Sequence, residues 1–140
     1  MVLQQVMSQR QLKEMRDSTI VVIRSSNERT SDFCEQICAK QIEKENLITV
    51  REVPFERALR KCYEIGIASS RKWMVTVDAD VLLVEGAVDI LVRNAERMPE
   101  NFVQLEGRVF DKITGRYRQA GHRIYRTALL PLAMEYIPPD

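Results

Sequence analysis

Glycine is scarce in this 140-residue chain, with five in all, and none of them builds a phosphate-cradling loop. Neither G-x-G-x-x-G nor G-x-x-x-x-G-K-[ST] follows the first predicted strand, which argues against a dinucleotide-binding fold or a P-loop enzyme. Three cysteines, an odd number, do not make a disulfide framework. Cys34 and Cys38 fall one turn apart on one predicted helix and Cys62 on another. With no fourth ligand at a familiar zinc spacing, they read as buried thiols. No apolar run approaches the ~20 residues that span a bilayer. Gln4, Gln5, Ser8 and Gln9 interrupt any apolar signal-peptide core. Lys and Arg number 21 against 20 Asp and Glu, a net charge of +1, which argues against a chain that simply coats nucleic acid or anionic membrane. Together these absences predict a cytoplasmic chain with no transmembrane segment and no nucleic-acid partner.

What is present suits a globular domain: 45% hydrophobic and 29% charged residues in a length that buries a real core. Residues 2–16 are predicted as a lead-in helix with Leu3, Val6, Met7 and Met15 on its apolar side. Thr19–Arg24 is an apolar strand, covered on both faces. The polar loop Ser25–Arg29 follows, and Thr30 or Ser31 is placed to cap a helix ending near Gln41. Leu47–Val53 is a second strand closed by Pro54. Phe55, Ala58, Leu59, Cys62, Tyr63 and Gly66 then form the clearest helical stripe of the chain. A third strand begins at Trp73, and a helix marked by Val84, Val88, Leu91, Ala95 and Met98 stops at Pro99. This order, β-α-β-α-β-α, implies a parallel sheet with right-handed crossovers. Residues 101–137 change character: a strand at Phe102–Leu105, a Thr114-Gly115 turn between Arg108–Ile113 and Arg116–Tyr125, and a last helix over Ala128–Tyr136 predict a small antiparallel part.

The chemistry concentrates at Trp73-Met74-Val75-Thr76-Val77-Asp78-Ala79-Asp80. A buried strand that ends in two carboxylates places them where open α/β sheets bind ligands, outside the carboxyl end of a central strand. Residues two apart on a strand share a face, with Cα atoms roughly 6.5–7 Å apart, so Asp78 and Asp80 can reach one cation. Hard oxygen ligands suit Mg2+ or Mn2+, particularly when phosphates complete the shell. His122, the one histidine, is a candidate third ligand beside Gly121. Arg108, Lys112, Arg116, Arg118, Arg123 and Arg126 stand against Glu106 and Asp111, a cluster able to offset an anionic substrate or to form a solvated basic hairpin. Tyr117 and Tyr125 alternate with these arginines and read as packing.

The strand into Ser25-Ser26-Asn27-Glu28-Arg29, the helix with Ala58 and Gly66, and WMVTVDADVLL together resemble the nucleotide-sugar half of GT-A glycosyltransferases, family 2 in particular. The resemblance spans roughly Thr19 to Met98. It implies a Rossmann-like α/β/α sandwich with a mainly parallel sheet, one domain over 1–140, and transfer of a sugar from a nucleoside diphosphate sugar. Its D-x-D carries Mg2+ or Mn2+, which assigns Asp80 to the metal and Asp78 to the metal or the ribose. Ser25, Asn27, Arg29 and Glu52 would line the nucleotide pocket, with Arg123 on the donor and His122 as a later metal ligand. Asp111 and Glu106 are the downstream acids available as catalytic base, and Asp111 is the candidate. The acceptor (glycan, lipid or protein) is not specified, and a homo-oligomer and peripheral attachment to a membrane are open expectations. Family members usually continue for a hundred or more residues beyond this point. A non-catalytic nucleotide-sugar-binding or assembly domain is therefore the alternative. A haloacid-dehalogenase-like phosphotransferase with Asp78 as nucleophile ranks below it, because that motif belongs on a first strand.

Overall fold

The computed structural model describes residues 7–139, and side-chain detail for all of these except Ala120. Five helices and five strands alternate along the chain until the last two strands, which follow one another. Helix α1 (Gln9–Asp17) starts at a capping box in which Ser8 and Gln11 satisfy each other's amides. The part of the expected lead-in helix before Met7 lies outside the described residues. Strand β1 (Thr19–Arg24) is buried along its whole length, as its unbroken apolar run requires. Helix α2 (Ser31–Ala39), strand β2 (Leu47–Val50), helix α3 (Phe55–Ala68), strand β3 (Trp73–Asp78) and helix α4 (Ala87–Glu96) follow. Strands β4 (Gln104–Asp111) and β5 (Arg116–Arg126) form the expected hairpin, and α5 (Leu130–Met134) closes the described chain after a 3-10 turn at Thr127–Leu129.

The sheet order is β2-β1-β3-β5-β4. Strands β2, β1 and β3 run parallel, whereas β5 pairs antiparallel with both β3 and β4. The sheet is therefore mixed, and the expectation of a mainly parallel one is corrected. The hairpin does not trail at one edge as an appendage. Its second strand inserts beside β3, and β4 becomes the outer edge.

Side-chain alternation assigns the two faces. Val21, Ile23, Val75, Val77 and Ile124 pack with α2 and α4 in one apolar cluster. Ile20, Val22, Met74 and Tyr125 pack with α3 and α5 in the other. All three cysteines are buried free thiols. Gly66 lets α3 approach the sheet closely, because a Cβ there would stand 2.6 Å from Leu130 Cδ1 and 2.7 Å from Met74 Sδ. The connection leaving β1 runs through α2 to β2 on one side and that leaving β3 runs through α4 to the β5–β4 side, so the two part company between those strands. That parting is the topological switch point of the parallel half.

Candidate functional site

At the switch point the last residues of β1 and β3 are direct neighbours, Arg24 beside Asp78. Residues in register share a face, so both side chains project toward α3. Arg24 Nη2 donates to Asp78 Oδ1 at 2.5 Å. The Arg24 side chain is only 10% exposed and that of Asp78 37%. The Phe55 ring, 58% exposed, covers the guanidinium with 4.7 Å between its centroid and the guanidinium carbon. Nε and Nη1 of Arg24 are buried without a hydrogen-bond partner among the described residues. Phe55, expected in the core stripe of α3, serves instead as a rim group over a buried cation.

Beyond Asp78 the chain leaves the sheet. The Val81 amide donates to Asp78 O at 2.9 Å, closing a turn over Asp78–Val81. Asp80 therefore sits in a turn rather than two steps along a strand, and the shared-face argument for the two acids does not apply. Asp80 is exposed. The turn is tied to the β1–α2 loop by Thr30, whose Oγ1 donates to Ala79 O at 2.6 Å. That bond explains why Thr30, although it occupies the N-cap position of α2, makes no capping hydrogen bond.

The β1–α2 loop is folded around Glu28. Its carboxylate accepts from the Ser26 amide at 2.8 Å, the Ser26 hydroxyl at 2.9 Å and the Ser25 hydroxyl at 3.2 Å. Burial alone would push the Glu28 carboxyl upward. Its backbone and serine hydrogen bonds outweigh that burial and hold it below the usual carboxylate range. Asn27 takes a left-handed backbone, φ 66°, a conformation that asparagine tolerates better than most residues. Ser25 is buried, with its Oγ 2.7 Å from that of Ser31.

These parts enclose a cleft of about 260 Å³ lined by Arg24, Ser25, Ser26, Glu28, Glu52, Val53, Phe55, Ala58, Asp78 and Asp80. Four carboxylates face one guanidinium, and that guanidinium is already bonded to one of the four. A diphosphate entering alone would meet net negative charge.

Of the residues expected at a site, Ser25, Glu52, Asp78 and Asp80 line this cleft, and Asn27, Arg29, Arg123, His122 and Asp111 do not. Asn27 and Arg29 lie exposed on the same loop. Arg123 shares the α3 face but pairs with Glu106 at 2.9 Å; burial opposes its charge, and the bond to Glu106 more than offsets that. His122 is opposite Val77 and so projects to the other face from Asp78, where its ring lies against Gly107. Among the described residues no three His, Cys, Asp or Glu side chains are grouped to hold a metal ion. His122 is thus not brought to the two aspartates, because the sheet stands between it and Asp78. Asp111 ends β4 at the hairpin turn, where it accepts from the amides of Ile113 at 2.9 Å and Thr114 at 3.4 Å and pairs with Arg118 at 3.5 Å. Its carboxylate organises the turn and is not presented to the cleft. Arg24, Glu28 and Phe55 went unforeseen. The available signal was an arginine closing a strand that is otherwise apolar, a charge that burial obliges to find a partner.

No protein-family profile and no curated protein sequence matches the chain. Solved structures do share its fold. Protein A197 from STIV aligns with a TM-score of 0.59 at 12% identity, over 81% of this chain and 66% of its own. A glycosyltransferase involved in the glycosylation of the major capsid of PBCV-1 aligns with a TM-score of 0.53 at 12% identity, over 81% of this chain and 62% of its own. The 4-diphosphocytidyl-2C-methyl-D-erythritolsynthase from Anaerococcus prevotii aligns at 0.48 and 12% identity, over 91% and 81%. The chain spans less than two thirds of the first two structures, and the likeness is one of fold.

Proposed function

We propose that the cleft binds a nucleoside diphosphate sugar and that the chain is the donor-binding unit of a metal-dependent glycosyltransferase. One observation carries this reading: Asp78 and Asp80 open into a cleft at the switch point between β1 and β3, where α/β sheets take their ligands. A fold shared with a glycosyltransferase is consistent with it.

The donor set fits a hard divalent cation. Asp80 makes no hydrogen bond or ion pair with a described residue, and Arg24 engages only one oxygen of Asp78. Asp80 and the second Asp78 oxygen would hold Mg2+ or Mn2+ together with the donor phosphates. When bound, the cation supplies neutralisation of charge on the departing diphosphate. Arg24 fixes the rotamer of Asp78 and is the cleft's own positive charge. Ser25 and Ser26 shape the loop wall with their hydroxyls on Glu28, and Glu52, exposed in the lining, would accept from ribose hydroxyls. Phe55 and Val53 give the rim apolar surface for a base or sugar ring.

A second reading, donor binding without turnover, draws on the commitment of Asp111 to the hairpin turn. Calorimetric titration with UDP-, GDP- and dTDP-sugars, in Mn2+ and then in chelator, tests both. Metal-dependent binding of one donor is expected, and loss of that binding in Asp80→Asn. Binding to none of them with Mn2+ present sinks the donor site. Release of free nucleoside diphosphate over hours, with water taking the sugar, selects the catalytic reading over the non-catalytic one.

A further inference from the structure

The β4–β5 hairpin is not sheet throughout. Glu106 pairs with Arg123 and Arg108 with Gln119, so two steps on β4 face four on β5. This bulge bends the ribbon and re-aims what lies beyond it. Gly121 occupies the bulge at φ 86° against Val81, where a Cβ would overlap the valine side chain. Because β5 runs antiparallel to β3 and its last partner there is Val77, residues 116–121 continue past the end at which the cleft opens. At strand spacing the arm reaches roughly 17 Å beyond that edge.

The arm's surface is unlike that of the rest of the sheet. Ile113 at the turn is 96% exposed, Tyr117 66% and Phe110 55%. Phe110 and Tyr117 meet edge to face at 5.3 Å, and the Arg108 guanidinium lies 5.2 Å from the Tyr117 centroid. Arg108, Lys112, Arg116 and Arg118 surround them, with Asp111 the one acid, in a chain whose net charge is only +1. Ile113 stands at the turn, flanked by Lys112 and Arg116, with the aromatic pair and then Arg118 and Arg108 behind it. An apolar tip whose flanking cations have long side chains able to reach back to headgroups suits an anionic bilayer surface. A nucleic-acid groove has no use for a 96% exposed isoleucine between the tip cations Lys112 and Arg116, whereas acyl chains do.

We propose that the β4–β5 arm is a membrane-docking element that seats Ile113 among the acyl chains of an anionic lipid surface and turns the cleft edge toward that surface. The overall charge balance does not oppose this, because the positive charge is local to the arm. The proposal is independent of the nucleotide-sugar reading, since its test contains no nucleotide.

The test is co-sedimentation of the whole chain with phosphatidylcholine vesicles containing 30 mol% phosphatidylglycerol, beside vesicles of phosphatidylcholine alone. Binding to the anionic vesicles is expected, with a drop of about fivefold for each of Lys112→Ala and Arg116→Ala. Ile113→Ser weakens it further. In Ile113→Trp, vesicle addition shifts the new tryptophan's emission to the blue, while buried Trp73 gives a constant background. No binding to anionic vesicles, or binding that Ile113→Ser leaves unchanged, overturns the proposal. So does equal, Ile113-independent binding to a DNA duplex, or concentration-dependent dimerisation of the wild type that Ile113→Ser abolishes.

Discussion

Strands β1 and β3 are covered on both faces, whereas the β4–β5 ribbon beyond its bulge is exposed on the face of Arg108 and Phe110 and only half-covered on that of Val109. Both belong to one sheet. The covered pair reads Ile-Val-Val-Ile and Met-Val-Thr-Val, with the polar groups gathered at the carboxyl end, where Arg24 and Asp78 meet. The ribbon spreads charge and aromatic surface along its length and anchors itself by turn chemistry, Asp111 on the amides of Ile113 and Thr114. The core and the cleft thus belong to the covered pair, and the exposed basic and aromatic surface belongs to the ribbon, so mutations should separate the two.

The largest separation is expected from truncation in the covered half. Met74 is fully buried between β3 and α3, so Met74→Ala should cost about 2–5 kcal/mol by urea denaturation. Next comes the Arg24–Asp78 pair. Asp78→Asn leaves a buried guanidinium without its counter-charge and should cost about 3 kcal/mol, the low end for a buried pair because Asp78 is over a third exposed. Arg24→Met leaves only the more exposed partner and should cost less; a reversed order in the urea midpoints would show that Asp78, not Arg24, is the buried charge.

A pH effect should appear in the same half. Burial raises the Cys62 thiol from its ordinary 9 to about 12. The unfolded chain then releases that proton at a lower pH than the folded one. Stability is therefore full below about pH 9 and falls as pH rises toward 12, by an amount on the order of a few kcal/mol at the upper end. Cys62→Val should lessen this decline in urea midpoints between pH 7 and 10, although Cys38, raised by its bond to Cys34 and by burial, keeps part of it, and Tyr63 extends it above pH 10. The smallest effect belongs to the arm. Phe110→Ser and Ile113→Ser should stay within about 0.5 kcal/mol of the wild type. A larger loss would mean that the ribbon shares the core's cooperativity.

The elements whose sequence contains one unambiguous pattern were legible. The apolar runs placed β1 and β3, the stripe placed α3, and Thr114-Gly115 placed the hairpin turn. What decided the site was of another kind. Whether β5 lies beside β3 depends on long-range pairing, and a hairpin at residues 104–126 carries no local mark of which strand docks inward. The face that His122 takes depends on that register, where one residue of slip would exchange it with Arg123. Asp80 left the strand because the chain turns at Asp78, a choice that Asp-Ala-Asp does not announce. Ser25, Glu52, Asp78 and Asp80 reached the cleft because they end or follow strands β1, β2 and β3, whose carboxyl ends converge at one edge of the sheet.

That convergence has a practical side. Cleft and arm both issue from the carboxyl-end edge of β1 and β3, while the backbone enters β1 at Thr19 and leaves β5 at Arg126 on the far edge. A sensor surface or bead coupled through that far edge would hold the molecule with its chemistry pointing outward. A ligand of the cleft and a surface met by the arm would then arrive from the same side, and one orientation would suffice to assay both together.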